Sequence, residues 1–597
     1  MEKIKNKWYD FIKLPFICGG AYSYFQIIIF VIQRAIPLLN VYILASLIDN
    51  TIEVVNGKKE AAALLVPGIM FGIIVILKNV ASVINEIVSE GVVSGIRKNY
   101  VTYIVKKCAS LKYREIEDEE TCDIIKRVKN DADMQMQKGY NAFLKLLGIV
   151  VEIICYIVIL YRITSYVVLI VFVVSCILVF ISVINGKKQY AFVQDTASDS
   201  RHIDYYDEIM TSRESAAERN LFRTGKYVQD KWVEYYKIIK KKEKSVTIKS
   251  LVQMKSVSSI MGLVTAGMAL IMLNPLSNKL ITLGLYISLV QMAMELVDLM
   301  SWDLTDYLID FTKYVSYLED FHKFVLLEEE EDALTEPKER GIDAEKIVFS
   351  DVSFRYPKAE KEVLRHINLV LEKGKHYAIV GENGSGKSTL IKVLLGLYDN
   401  YEGDILLNDK SLRTLSMAEK KAIFSTLFQD FAEYQISIKD NIGLGNINAL
   451  GTKELDQKIE KAVSDFGLKK VIGQGKNGLD TELGKLDKEG MGVSGGEWQR
   501  IAMMRTVVSN ASVLILDEPT AALDPVAESR LYEDFDKISR GRTTILITHR
   551  LASIKLADSI IVLNKGEIVG AGNHEELMEK CDIYRNMYEM QRSWYEE

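Results

Sequence analysis

The stretch "GENGSGKST", residues 381–389, constrains the fold of this chain more than any other. It follows the short apolar run "HYAIV" and leads into the apolar "LIKVLLGLY", the strand-then-helix setting that a phosphate-cradling loop requires. Gly381, Gly384 and Gly386 let backbone N–H groups turn inward around phosphate oxygens, and the helix that begins there points its positive end at them. Glu382, Asn383 and Ser385 complete the turn, and Thr389 follows it into the helix. Lys387 reaches toward the β- and γ-phosphates and Ser388 is placed to hold Mg2+. A merely flexible glycine turn explains this setting poorly. Downstream, "SVLILDEPT" (512–520) is a buried-type strand that ends in two carboxylates. Asp517 suits a position on or beside Mg2+, and Glu518 can polarise an attacking water.

The other half of the chain is built differently. Hydrophobic residues make up 49% of the sequence and concentrate in six apolar runs ahead of the phosphate loop. A helix crossing the hydrocarbon core needs about 20 such residues. The expected membrane helices are about 21–48, 61–86, 141–163, 165–185, 255–273 and 278–300, the last two interrupted by Gly, Ser and Gln. Long loops near 86–140 and 186–255 carry "GIRKNYVTYIVKKC" and "YYKIIKKKEKS", so by the excess of Lys and Arg they face the cytoplasm, as do both termini. Inward-facing loops carry such basic patches routinely, and a net charge of −6 adds no pull toward nucleic acid. No nucleic-acid partner is expected. The six cysteines stand singly, without the spacing of a metal site or a disulfide framework.

After the sixth run, "LLEEEEDALTEPKERGID" (326–343) is acidic and holds Pro and Gly, the texture of an exposed linker. The expected organisation is therefore a membrane domain over 1–325, a linker over 326–345, and an α/β nucleotide-binding domain over 346–597.

Taken together these residues resemble the ATP-binding cassette family over almost the whole chain. The resemblance implies that Tyr356 of "FRYP" stacks on adenine and that Gln429 of "LFQD" contacts Mg2+ and water. It further implies that His549 of "ITHR" grips the γ-phosphate and that Asp524 of "AALD" faces a partner subunit. In the family, the loop that here reads "VSGGE" touches the γ-phosphate of ATP held by the opposite subunit, which assigns Ser494, Gly495, Gly496 and Glu497 to a shared site. Ser494 and Glu497 also form the helix-start pattern S-x-x-E/Q, which a carboxylate in place of the usual glutamine still satisfies. Trp498 shares a helical face with Ile501, Ala502 and Arg505 and reads as core.

Six spans ahead of one ATPase domain resemble a half-size exporter. The implied fold is an all-α, six-helix membrane domain of the type IV exporter kind with long cytoplasmic helical extensions, followed by an α/β P-loop ATPase domain. The implied cofactors are ATP and Mg2+, and the implied place is the cell membrane, multi-pass and in contact with lipid, with the ATPase domain in the cytoplasm. A second half-transporter is required, a homodimer being favoured over a heterodimer. The extension tips expected to rest on ATPase domains are 111–131 and 201–222. "LGKLDKEGMGVSGGEWQRIA" (483–502) and "LFQDFAEYQISIKDNI" (427–442) are similar to exporters of bacteriocin-type and lantibiotic-type peptides, apart from Asp487 and Glu497. A peptide or small amphipathic cargo is expected; a multidrug or lipid pump of the same architecture is the alternative. Glu295 and Asp298 are candidate cavity carboxylates for a cationic cargo or, alternatively, part of a cytoplasmic solvated face or partners for Arg34.

Overall fold

The computed structural model describes residues 10–161, 165–213, 215–298, 303–336, 342–486, 488–519, 539, 541–548, 550, 554 and 557–593. The chain forms two compact units, one from Met1–Lys106 and Glu120–Leu327, the other from Lys107–Glu119 and Glu328–Glu597.

The first unit is helical. Among the described residues, 21–55, 61–110 and 132–159 are each long and apolar enough to cross a membrane, and 265–277 and 283–295 are shorter apolar helices. The expected fourth and fifth spans are parts of much longer rods, Ser165–Thr211 and Gly225–Ser277, of 47 and 53 residues. At 1.5 Å per residue these reach about 70 and 80 Å, more than twice the roughly 30 Å of a hydrocarbon core. Apolar and Lys-rich stretches thus share one continuous helix.

Packing within this unit relies on buried tyrosines. Tyr100 Oη lies 2.8 Å from Tyr317 Oη, which also donates to the Val128 carbonyl at 3.1 Å. Gly139 leaves room for the Tyr314 ring, because a Cβ there would collide with it. Arg34 Nη1 meets Glu152 Oε1 at 2.7 Å between the first and third long helices. The partner of Arg34 is therefore Glu152, which the sequence reading did not consider. Glu295 is exposed and hydrogen-bonds Gln291 at 3.5 Å, and the side chain of Asp298 lies outside the described residues.

The second unit carries two sheets. β1 (Lys346–Phe354), β2 (Leu364–Glu372), β4 (Glu402–Leu407) and β5 (Lys410–Ser411) form an antiparallel sheet in the order β2-β1-β4-β5. β3 (His376–Val380), β6 (Phe424–Leu427), β7 (Val513–Asp517), β8 (Thr543–Ile547), β9 (Ser559–Asn564) and β10 (Glu567–Gly572) form the other in the order β10-β9-β3-β8-β7-β6. All neighbours in it are parallel except β9 and β10. Every residue of β7 and β8 is buried, as strands covered on both faces must be, which is why β7 reads VLIL ahead of its terminal Asp517 and β8 reads ILI after two threonines. Parallel strands bring their carboxyl ends to one edge, and a crevice at that edge is where such sheets bind ligands.

Residues 107–119, from the first long loop, belong to this second unit. Lys112 Nζ pairs with Glu328 and Asp399, each at 3.2 Å, and Lys107 Nζ with Glu329 at 2.6 Å. Lys392, on the helix that leaves the phosphate loop, meets Glu117 at 2.7 Å. The acidic run expected as a linker thus supplies ion-pair partners at Glu328 and Glu329.

Candidate nucleotide site

β3 ends at Val380, and the helix Lys387–Leu394 starts after the six intervening residues of the glycine-rich turn. Gly384 (φ 78°) and Gly386 (φ 106°) occupy backbone conformations that cost a residue with a Cβ dearly. At Gly386 an added Cβ would also press on Leu364 and the Val363 carbonyl. The loop shows two signs of fitting a phosphate. Ser385 Oγ is buried with no hydrogen-bond partner, although buried hydroxyls are nearly always satisfied. Lys387 Nζ folds back onto the carbonyls of Gly381 and Glu382, 2.9 Å from each. Burial pulls the Lys387 ammonium below its usual value, and the negative charges of Glu518 and Asp517 push it back up.

The two carboxylates close the other side. Asp517 is the last residue of β7, and burial, then repulsion from Glu518, pushes its carboxyl up to about 6. A hydrogen bond from Ser388 opposes that shift, so the phosphate-loop hydroxyl and the β7 carboxylate meet. Oxygen donors of this kind suit a hard divalent cation. Glu518 follows with φ 50°, a left-handed conformation that costs a non-glycine residue of order 1–3 kcal/mol. Its N–H donates to the Ile547 carbonyl of β8 at 3.0 Å, and its carboxylate accepts from Gln429 Nε2 at 3.2 Å. Lys387, Ser388, Gln429, Asp517 and Glu518 are thus brought together. His549 and Asp524 lie outside the described residues.

Tyr356 stands at the near end of the P-loop helix, its hydroxyl 2.9 Å from Thr389 Oγ1. Its ring meets Tyr398 edge-on, centroids 5.4 Å apart, and Tyr398 meets Tyr113 in the same way at 5.7 Å. Sequence reading missed Tyr398, whose "GLYDN" context carries no motif. It also missed Gln499, a buried side chain on the helix Gly495–Val508 that donates to the Glu518 carbonyl at 3.4 Å. A glutamine on an otherwise apolar helical face was the available signal. Trp498 on that helix is buried in a cluster with Ile501, Ala502 and Met504. Ser494 and Glu497 form the expected reciprocal cap. Among the described residues no hydrogen bond joins either of them to the phosphate loop.

Comparison with known proteins matches residues 364–521 to the ABC transporter family model. The subtilin transport ATP-binding protein SpaT of Bacillus subtilis is 30% identical over 568 residues, spanning 94% of this chain and 90% of that protein. This chain belongs to the ABC transporter family. The nisin transport ATP-binding protein NisT of Lactococcus lactis subsp. lactis is 28% identical, with 97% of this ABC transporter and 95% of that protein covered. In fold, the chain matches a bacterial Atm1-family ABC exporter with ATP bound, at TM-score 0.76 and 20% identity, over 96% of this chain and 99% of that one. The protein is an ABC exporter whose domain binds and hydrolyses ATP to drive transport, with its helical half in a membrane and its ATPase domain on the cytoplasmic side. Half-transporters of this type work as dimers.

Proposed function

We propose that this ABC transporter exports a peptide across the cell membrane as a homodimer, from cytoplasm to outside. The observation that carries the cargo is the extent of the likeness to the subtilin and nisin transporters, which runs through the helical half as well as the ATPase half. Glu295, exposed on an apolar helix, supports a cationic peptide.

At the nucleotide site, residues 381–389 hold the phosphates, Lys387 neutralises the β- and γ-phosphates, and Tyr356 stacks on the base. Ser388 and Asp517, with Gln429, would hold Mg2+, which when bound supplies Lewis-acid polarisation of phosphate oxygens. Glu518 accepts the proton of the attacking water while Gln429 fixes the orientation of its carboxylate. His549 contacts the γ-phosphate, and Ser494, Gly495, Gly496 and Asp524 complete the site of the opposite subunit. Two nucleotides between two ATPase domains then favour one global state of the dimer, and hydrolysis releases it.

The test uses full-length protein in proteoliposomes. Glu518→Gln is expected to lose ATPase activity by about 100-fold or more while still binding ATP. Wild-type ATPase is expected to rise with a cationic peptide and not with lipophilic dyes. Unchanged turnover in the variant would sink the catalytic assignment, and stimulation by dyes alone would sink the peptide cargo.

A further inference from the structure

Ser494 has a single hydroxyl hydrogen, and Glu497 holds it. Ser494 Oγ accepts the Glu497 N–H at 3.4 Å and donates to Glu497 Oε2 at 2.8 Å. The same carboxylate oxygen accepts the Ser494 N–H at 2.6 Å. An ionised carboxylate only accepts, so the hydroxyl hydrogen is committed and Oγ presents lone pairs to anything that approaches. Phosphate oxygens are acceptors too. A γ-phosphate arriving at this loop therefore meets lone pairs until the hydroxyl turns away from Glu497.

Glutamine at this position changes the donor count. Its carbonyl can accept the Ser494 N–H while its amide group donates to Oγ, which frees the hydroxyl hydrogen to point outward. The carboxylate is also harder to displace than an amide, because it lies in the first turn of the helix Gly495–Val508, where the helix dipole favours negative charge. The reciprocal cap is kept by either residue.

We infer that Glu497 is a positioning residue that restrains ATP-driven closure of the paired site, by holding the Ser494 hydroxyl hydrogen inward. The γ-phosphate of the opposite subunit engages Ser494 only when that internal hydrogen bond breaks. This deepens the proposed function and rests on its placement of Ser494 in the partner's site.

Full-length protein in nanodiscs tests it with four forms: unaltered, Glu497→Gln, Ser494→Ala and the double variant. ATP affinity is measured for each in a Glu518→Gln background, and KM and kcat for ATP without that substitution. Glu497→Gln should tighten ATP binding and lower KM roughly 3- to 10-fold, the worth of one net hydrogen bond. The gain should vanish in the Ser494→Ala background and persist at high salt. No gain in Glu497→Gln overturns the inference. So does an equal gain without the Ser494 hydroxyl, or one that salt erases, since either assigns the effect to charge repulsion alone. If Ser494→Ala by itself changes neither affinity nor rate, the placement of Ser494 in the partner's site has failed instead, and the inference falls with it.

Discussion

Burial at the end of β7 and the neighbouring charge of Glu518 push the Asp517 carboxyl up to about 6, whereas an unfolded chain leaves an aspartate near 3.9. Between those values the folded state holds a proton that the unfolded state has lost, so stability falls as pH rises through that window. The stabilising contribution is fully present below about pH 4 and gone above about pH 6; it amounts to about 2–3 kcal/mol. An asparagine is neutral throughout. Asp517→Asn is therefore expected to raise the melting temperature of the nucleotide-free protein at pH 7.5 and to leave it nearly unchanged at pH 4. The same variant should lose the stabilisation that Mg2+ and ATP together give the parent protein. Thermal denaturation at the two pH values, with and without nucleotide, checks both statements. Equal shifts at both pH values would mean that the buried charge is not what costs stability. Asp517 is destabilising where it is ionised, and the proposed hold on Mg2+ gives a reason for an acid to stand at the end of a dry strand.

Helices and strands bring together what the phosphate-loop residues cannot reach alone. Tyr398 is buried between Tyr356, Phe354 and the Tyr113 ring of the first-loop segment, in edge-on and tilted contacts between 5.0 and 5.7 Å. Aromatic pairs of this kind contribute about 0.5–1.5 kcal/mol beyond the area they bury. Tyr398→Leu keeps the site apolar but removes the wall behind Tyr356. The expected result is a KM for ATP raised about 2- to 10-fold, with kcat held within about twofold. A fall in kcat with KM unchanged would show that Tyr398 serves the chemistry and not the base. Much of this region could be read from the sequence because its rules are local. The phosphate loop, the β7 carboxylates, the cap at Ser494 and the buried face at Trp498 each follow from neighbours within a few residues. Tyr113 against Tyr398, Arg34 against Glu152 and Gln499 against the Glu518 backbone join residues separated by 285, 118 and 19 positions. Periodicity and motif spacing carry no record of which side chain a folded chain lays beside another. The expected spans show the same limit, since hydropathy marks where a rod is apolar but not that the rod continues into a charged stretch.

At the scale of the whole molecule, each nucleotide site is proposed to take its phosphate loop from one chain and its Ser494 loop from another. All nucleotide-side residues named from the sequence are of the type that a self-paired exporter needs, so one kind of chain suffices to build two equal sites. A closed, two-fold pairing of identical chains is also the commonest symmetric assembly. Two differently tagged copies expressed in one cell should therefore purify together in the membrane extract, and failure to do so would sink the homodimer. The same cells offer a sharper measurement when one copy carries Glu518→Gln. At equal expression, random pairing leaves about a quarter of the dimers with two intact chains and about half with one. If hydrolysis at one site requires the other to be competent, ATPase activity falls to about a quarter of the wild-type value; independent sites would leave it at about half. The expected value is the lower one, because in the proposed arrangement the Ser494 loop of each chain would read the nucleotide of its partner and a site trapped with uncleaved ATP would hold both chains closed.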